Sequence, residues 1–203
     1  MSKSIRIGVL VSGRGSNLEQ ILKAQHAGYF NGEIVVVISS APGVYALQHA
    51  KDYNVKHFVV DSNAFADKNE YERKIVEILA ENQVDLVCLA GYMRIIGPEL
   101  ARQYYGRMMN IHPALLPAFP GLHVQRKALE YGVKFSGCTV HFVDEGVDSG
   151  PIILQAVVPV QDDDTEGSLS ARILAEEHRI FPEAIRLFCE NRLKIEGRRV
   201  RIT

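Results

Sequence analysis

Along the first half of the chain, short runs of aliphatic and β-branched residues alternate with longer stretches whose apolar positions recur at helical spacing. That is the pattern of parallel strands joined by crossover helices. Ile5–Val11, Glu33–Ser39, Lys56–Val60 and Asp85–Ala90 read as strands. Asn17–Ala27, Val44–Tyr53 and Lys68–Asn82 read as helices, the last with Tyr71, Ile75, Ile78 and Leu79 on one face. Past the Gly97-Pro98 break, a short helix is expected at Glu99–Tyr104 and a fifth strand at Arg107–His112, stopped by Pro113. The second half changes character. Phe135–Val143 and Pro151–Val160 read as long strands joined by the polar loop Asp144–Gly150, hence as antiparallel neighbours. A long helix is expected over Ser168–Cys189 and a small hairpin over Lys194–Thr203, turning at Gly197. The expected class is α/β: an open, mainly parallel sheet flanked by helices, with antiparallel strands and a long helix in the C-terminal half. One domain is expected over 1–203, its halves meeting near residue 105.

Composition narrows the function classes. With 203 residues, 47% hydrophobic and 23% charged, the chain has ordinary globular proportions and room for a sizeable core. Lys plus Arg number 23 against 24 Asp plus Glu, a net charge of −1, which gives no global field for gripping a polyanion, so no nucleic-acid partner is expected. The tail Arg198-Arg199-Val-Arg201 reads as a solvated edge strand. Cys88, Cys138 and Cys189 are odd in number and far apart, fitting neither a disulfide framework nor a zinc knuckle, and point to a reducing cytoplasm. Met1–Arg6 leads into an apolar run that stops at Ser12. The run is too short for a membrane span and follows no signal-peptide or lipidation pattern, so no membrane partner is expected.

Three stretches carry candidate chemistry. Ser12-Gly-Arg-Gly-Ser-Asn17 follows the first strand and opens the first helix, where backbone N–H groups favour an anion. Leu18 occupies the third glycine position of a dinucleotide fingerprint and no Gly-Lys-Ser/Thr is present, so the stretch is either a phosphate loop of another kind or a tight turn capped by Ser16 or Asn17. In Asn110-Ile-His-Pro113 the alternation of a strand puts the Asn110 amide and the His112 imidazole side by side at a strand's carboxyl end, where open α/β sheets bind ligands. Read alone, the pair could equally be a turn and a strand-end histidine. Asp144-Glu-Gly-Val-Asp-Ser-Gly150 is either a solvated turn or the source of a carboxylate aimed at a histidine, which would raise the imidazole pKa toward or above neutrality. Asp162-Asp-Asp164-Thr165 reads as a turn and helix cap. His26, His49, His57 and Glu176-Glu177-His178 have no metal-ligand spacing, so no metal is expected.

Longer motifs then converge. Asn110-Ile-His-Pro-Ala-Leu-Leu-Pro117, Gly137-Cys-Thr-Val-His-Phe-Val143 and Asp148-Ser-Gly-Pro151 closely resemble the folate-dependent formyltransferase family. The Ser12–Asn17 loop, Gly91-Tyr-Met-Arg-Ile-Ile96, Pro120-Gly-Leu-His123 and Glu177-His178 extend the resemblance over nearly the whole chain. The resemblance implies a Rossmann-like N-terminal half that carries phosphate and a C-terminal half that completes a folate cleft. It implies formyl transfer from 10-formyltetrahydrofolate to the amine of glycinamide ribonucleotide in purine synthesis, by a monomer or homodimer. By the same resemblance Asn110, His112 and Asp148 match the catalytic trio, and Gly15, Ser16 and Asn17 the phosphate loop. Glu177 matches the ribose-contacting acid; Met93, Arg94, Ile95 and Ile96, with Asp144, Val147 and Asn110, match the pterin wall. Ala114 stands where many relatives have Ser, and Lys68 where a substrate-side Arg is often found. A formyltetrahydrofolate hydrolase and a non-catalytic anion-binding module are the alternative readings.

Overall fold

The computed structural model describes residues 4–203; Met1–Lys3, the first residues of the stretch with no signal-peptide pattern, lie outside the described residues. The elements run β1 (Ile5–Val11), α1 (Ser16–His26), β2 (Gly32–Ser39), α2 (Ala46–Asp52), β3 (His57–Val59), a 3₁₀ turn at Ser62–Ala64 and α3 (Lys68–Glu81). Then come β4 (Leu86–Leu89), α4 (Pro98–Gln103), β5 (Met108–His112), α5 (Val124–Tyr131), β6 (Phe135–Phe142), β7 (Ile152–Pro159), α6 (Glu166–Cys189), β8 (Leu193–Glu196) and β9 (Arg199–Ile202). These strands form one sheet in the order β3-β2-β1-β4-β5-β6-β7-β9-β8.

The first five strands are parallel, and β1 shows why its sequence is apolar almost throughout. Val9 and Val11 face one core with Leu18, Ile21 and Leu22 of α1 and Ile173, Phe181 and Ile185 of α6. Leu10 faces a second core with Ile75 and Leu79 of α3 and Leu100 of α4. A parallel strand covered by helices on both faces has no side left for solvent. The helices begin where local chemistry starts them. Asp67 accepts the Asn69 N–H at 3.0 Å ahead of α3, and Thr165 and Ser168 form a reciprocal capping box ahead of α6.

Strand β5 is where the sheet changes sense, paired parallel with β4 and antiparallel with β6, and the β6–β7 pair is antiparallel, as the pattern of runs predicts. Because β1 to β5 are parallel, the connections after each of them gather at one edge, the carboxyl edge where such sheets bind ligands. Three expectations are corrected. The stretch between Pro113 and Phe135, where no element is expected, holds α5, which has only Val124 and Ala128 buried and begins at His123 with no side-chain cap. The arginine tail forms β9, which lies inside β8, so β8 is the edge. Helix α1 is entered through Gly15, not through a Ser16 or Asn17 cap.

Candidate active site

Asn110 and His112 occupy alternate positions of β5, so both side chains leave one face, and the β6–β7 connection folds back to bring Asp148 against them. The Asp148 carboxylate lies 3.3 Å from His112 Nδ1 and accepts from Asn110 Nδ2 at 3.4 Å and from the Gly121 N–H at 2.8 Å. Asp148 sits at φ 49, a left-handed conformation that costs an L-residue about 1–2 kcal/mol, so its surroundings hold the carboxylate in place. Asp144 shapes the same connection, its carboxylate accepting from the Gly146 N–H and the Ser149 hydroxyl. Val147 is half exposed beside it.

A fourth group belongs to the cluster and was missed in the sequence. His141 is directly opposite Asn110 across the β5–β6 pair, with Nε2 3.2 Å from Asn110 Nδ2 and 3.7 Å from Asp148. Its Nδ1 faces the Phe142 carbonyl at 2.9 Å, which can only accept; in the neutral ring Nε2 is therefore the acceptor for the Asn110 amide. In the sequence His141 is only a polar residue two positions from Thr139 on one face of a strand; the structure buries both. Thr139 holds the turn after His112, donating to the Ala114 carbonyl at 2.7 Å and accepting the Leu116 N–H at 3.1 Å.

Electrostatics overturn one expectation. Burial pushes the His112 pKa below its ordinary value, outweighing the Phe119 carbonyl and the Asp148 charge, both of which pull it up. Removing an imidazolium from water costs more here than one partly exposed carboxylate returns. The resting imidazole thus favours its neutral form, not a pKa at or above neutrality. Its Nε2 bonds the Phe119 carbonyl at 2.9 Å, leaving Nδ1 toward Asp148. Asp148 is itself desolvated, yet the neighbouring His141 ring, the Gly121 N–H and the nearby His112 hold its pKa below the usual carboxylate range.

The glycine loop builds a second cluster. Gly15 has φ 78, and a side chain there would put Cβ 2.6 Å from that of Ala46 in α2, so only glycine fits. The first N–H groups of α1, at Ser16 and Asn17, open at this end. Asn17 and Glu177 are both buried, and Asn17 Nδ2 donates to Glu177 at 2.7 Å, which pulls the carboxyl pKa down while burial pushes it up more strongly. Asn17 Oδ1 is buried without a hydrogen-bond partner among the described residues. An unsatisfied buried acceptor beside a buried carboxylate suits a ligand that brings hydroxyl donors.

Between β4 and α4, Met93, Arg94 and Ile95 border a cleft of about 480 Å³, closed on the other side by Phe65, Lys68 and Tyr71. Met93 and Ile95, about two-thirds exposed at the rim of this cleft, give it an apolar edge that suits a flat hydrophobic ligand. Ile96 packs instead against the second core. Lys68 lies 3.8 Å from Glu72 and borders the cleft beside Arg94. Among the described residues no three His, Cys, Asp or Glu side chains are grouped to hold a metal ion.

The sequence matches the model of the formyl transferase family, described as "Formyl transferase", over residues 5–185. The chain belongs to the formyl transferase family. It is 55% identical to glycinamide ribonucleotide transformylase 1 of Symbiobacterium toebii, whose crystal structure superposes with a TM-score of 0.96 over 98% of this chain and 93% of that one. It is 40% identical to the phosphoribosylglycinamide formyltransferase of Escherichia coli, over 94% of this chain and 90% of the other. It is also 48% identical, over 89% of its own length, to the trifunctional purine biosynthetic protein adenosine-3 of Drosophila melanogaster, of which it spans 14%. The formyl transferase fold, an α/β sheet of mainly parallel strands with an antiparallel C-terminal part, is thus shared.

Proposed function

We propose that the chain transfers the formyl group of 10-formyltetrahydrofolate to the amine of glycinamide ribonucleotide. The observation that carries this reading is the meeting of Asn110, His112 and Asp148, from two distant stretches of chain, within 3.4 Å of one carboxylate. In the reaction a neutral amine attacks the formyl carbon, a C–N bond forms, and the carbonyl oxygen takes up negative charge. The bond from that carbon to the folate nitrogen then breaks, and a proton of the amine ends on the departing nitrogen. Asn110 supplies an N–H to the oxyanion, the one held only loosely at 3.4 Å by Asp148. A donor of this kind contributes about 2.7–4 kcal/mol at the transition state.

His112 starts neutral, so it can accept the amine's proton at Nδ1 directly or through a water, and pass it on. While it carries that proton it is an imidazolium beside the oxyanion, with Asp148 stabilising the charge. Gly15, Ser16 and Asn17 receive the substrate phosphate and Glu177 its ribose hydroxyls. Met93, Arg94, Ile95 and Ile96, with Asp144 and Val147, receive the folate. The whole chain acts as one catalytic unit, in the cytoplasm, as a monomer or homodimer without nucleic-acid partners. Among the described residues no helix is long and apolar enough to cross a membrane.

The test is to mix purified protein with 10-formyltetrahydrofolate and either glycinamide ribonucleotide or free glycinamide. Formylated ribonucleotide, with free glycinamide a poor acceptor, is the expected result. Formate release without an acceptor would identify a hydrolase, and binding without turnover an anion-binding module; either would overturn the proposal.

A further inference from the structure

The Ser12 side chain, in the residue after β1 that opens the glycine loop, lies between that loop and the Met93 wall. Its Oγ accepts the backbone N–H of Met93 at 2.8 Å and is 2.7 Å from the Ser40 Oγ at the end of β2. One hydroxyl has a single hydrogen and two lone pairs, so these two contacts use up most of its capacity and fix its rotor. Met93 is the first residue of the exposed apolar wall, and three residues after Ser12 comes Gly15, where the anion cradle begins. Ile96 packs against the second core, and among the described residues the other side-chain hydrogen bonds to the segment come from α3: the Tyr92 hydroxyl is 2.5 Å from that of Tyr71, and the Gly97 N–H donates to the buried Glu72 carboxylate at 2.5 Å. Ser12 is therefore the contact by which the loop after β1 can sense whether the loop after β4 is ordered.

We propose that Ser12 is a positioning residue that couples the two substrate sites, so that an anion seated in the glycine loop tightens binding of a flat ring system against Met93 and Ile95. The idea rests on the functional reading above, which supplies the two ligands. A ligand that immobilises the Ser12 loop also immobilises the Met93 N–H, and the second ligand then orders less of the wall for itself. By linkage the effect runs equally in the other direction.

The experiment measures folic acid binding by calorimetry with and without saturating ribose 5-phosphate, in the native protein and in Ser12→Ala, Ser12→Thr and Ser40→Ala variants. Ribose 5-phosphate should tighten folic acid binding in the native protein by about fivefold or more, the usual lower range of such coupling. Ser12→Ala should bind each ligand alone but lose the enhancement, Ser12→Thr should keep it, and Ser40→Ala should weaken it. Equal enhancement in native and Ser12→Ala protein overturns the proposal, as does its absence in a native protein that binds both ligands. If Ser12→Ala does not fold, full enhancement in Ser40→Ala refutes it instead. A native protein that binds neither ligand refutes the functional reading itself.

Discussion

Replacing Asp148 with Asn isolates the charge at the centre of the candidate site, because the amide has the shape of the carboxylate and can still accept the Gly121 N–H through its oxygen. What is lost is the attraction between a carboxylate and a ring nitrogen 3.3 Å away once that ring is protonated. At an effective dielectric of about 20, two unit charges at that separation attract by about 5 kcal/mol, less whatever the amide dipole restores. Since burial already opposes the imidazolium, His112 should be harder still to protonate in the variant. Turnover should fall by about two to three orders of magnitude, within the range for loss of proton-transfer assistance. The assay is the pH dependence of turnover by stopped-flow or continuous absorbance. The acid limb should lie below the ordinary histidine value in the native protein and lower again in Asp148→Asn, because the neutral ring then persists to lower pH. A turnover within threefold of native, or an acid limb that does not move, would refute the coupling of Asp148 to His112.

Asn110→Ala should lower turnover about 10²–10³-fold, the measure of one oxyanion donor, and cost folding only about 1 kcal/mol because water can reach the partly exposed site; chemical denaturation and steady-state kinetics check both parts. Gly15→Ala should raise the KM for the ribonucleotide at least about tenfold while sparing the folate KM. It forces an alanine into a left-handed conformation costing about 1–2 kcal/mol and against Ala46, and an unchanged KM would remove the glycine loop from the site. The depressed His112 pKa also makes a stability prediction. The unfolded chain binds a proton at the ordinary histidine value while the folded one resists it, so this contribution is complete above that value and is lost as pH falls. The melting-temperature gap between native protein and His112→Gln should therefore shrink from pH 7.5 to 5.5. The comparison cancels the buried Glu72 and Glu177, whose raised pKa values act in the opposite sense.

Much of the fold was legible because parallel strands covered on both faces must be apolar throughout, and β1 falls at Ile5–Val11 as its run of aliphatic residues predicts. The antiparallel pair β6–β7 and the long α6 were marked just as plainly, by strand length and by periodicity. Helix α5 was hidden because it buries only two residues and starts from a left-handed His123 instead of a capping side chain. Asn110 and His112 could be seen as a pair because i and i+2 on a strand share a face. His141 could not, since its place beside Asn110 depends on the register between β5 and β6, which no local pattern encodes. The sign of the His112 shift was misjudged for a related reason: a nearby carboxylate shows in the motif, but the desolvation that outweighs it depends on packing from the whole chain.

The position of β5 at the seam between parallel and antiparallel pairing has a consequence for how activity is acquired during synthesis. Strands β1 and β4, which carry the glycine loop and the Met93 wall, leave the ribosome before β6 and the Asp148 turn, but α1 rests on α6, whose Glu177 accepts from Asn17. Both clusters are therefore completed together on a nascent chain, when the last third of the polypeptide closes over β5 and α1.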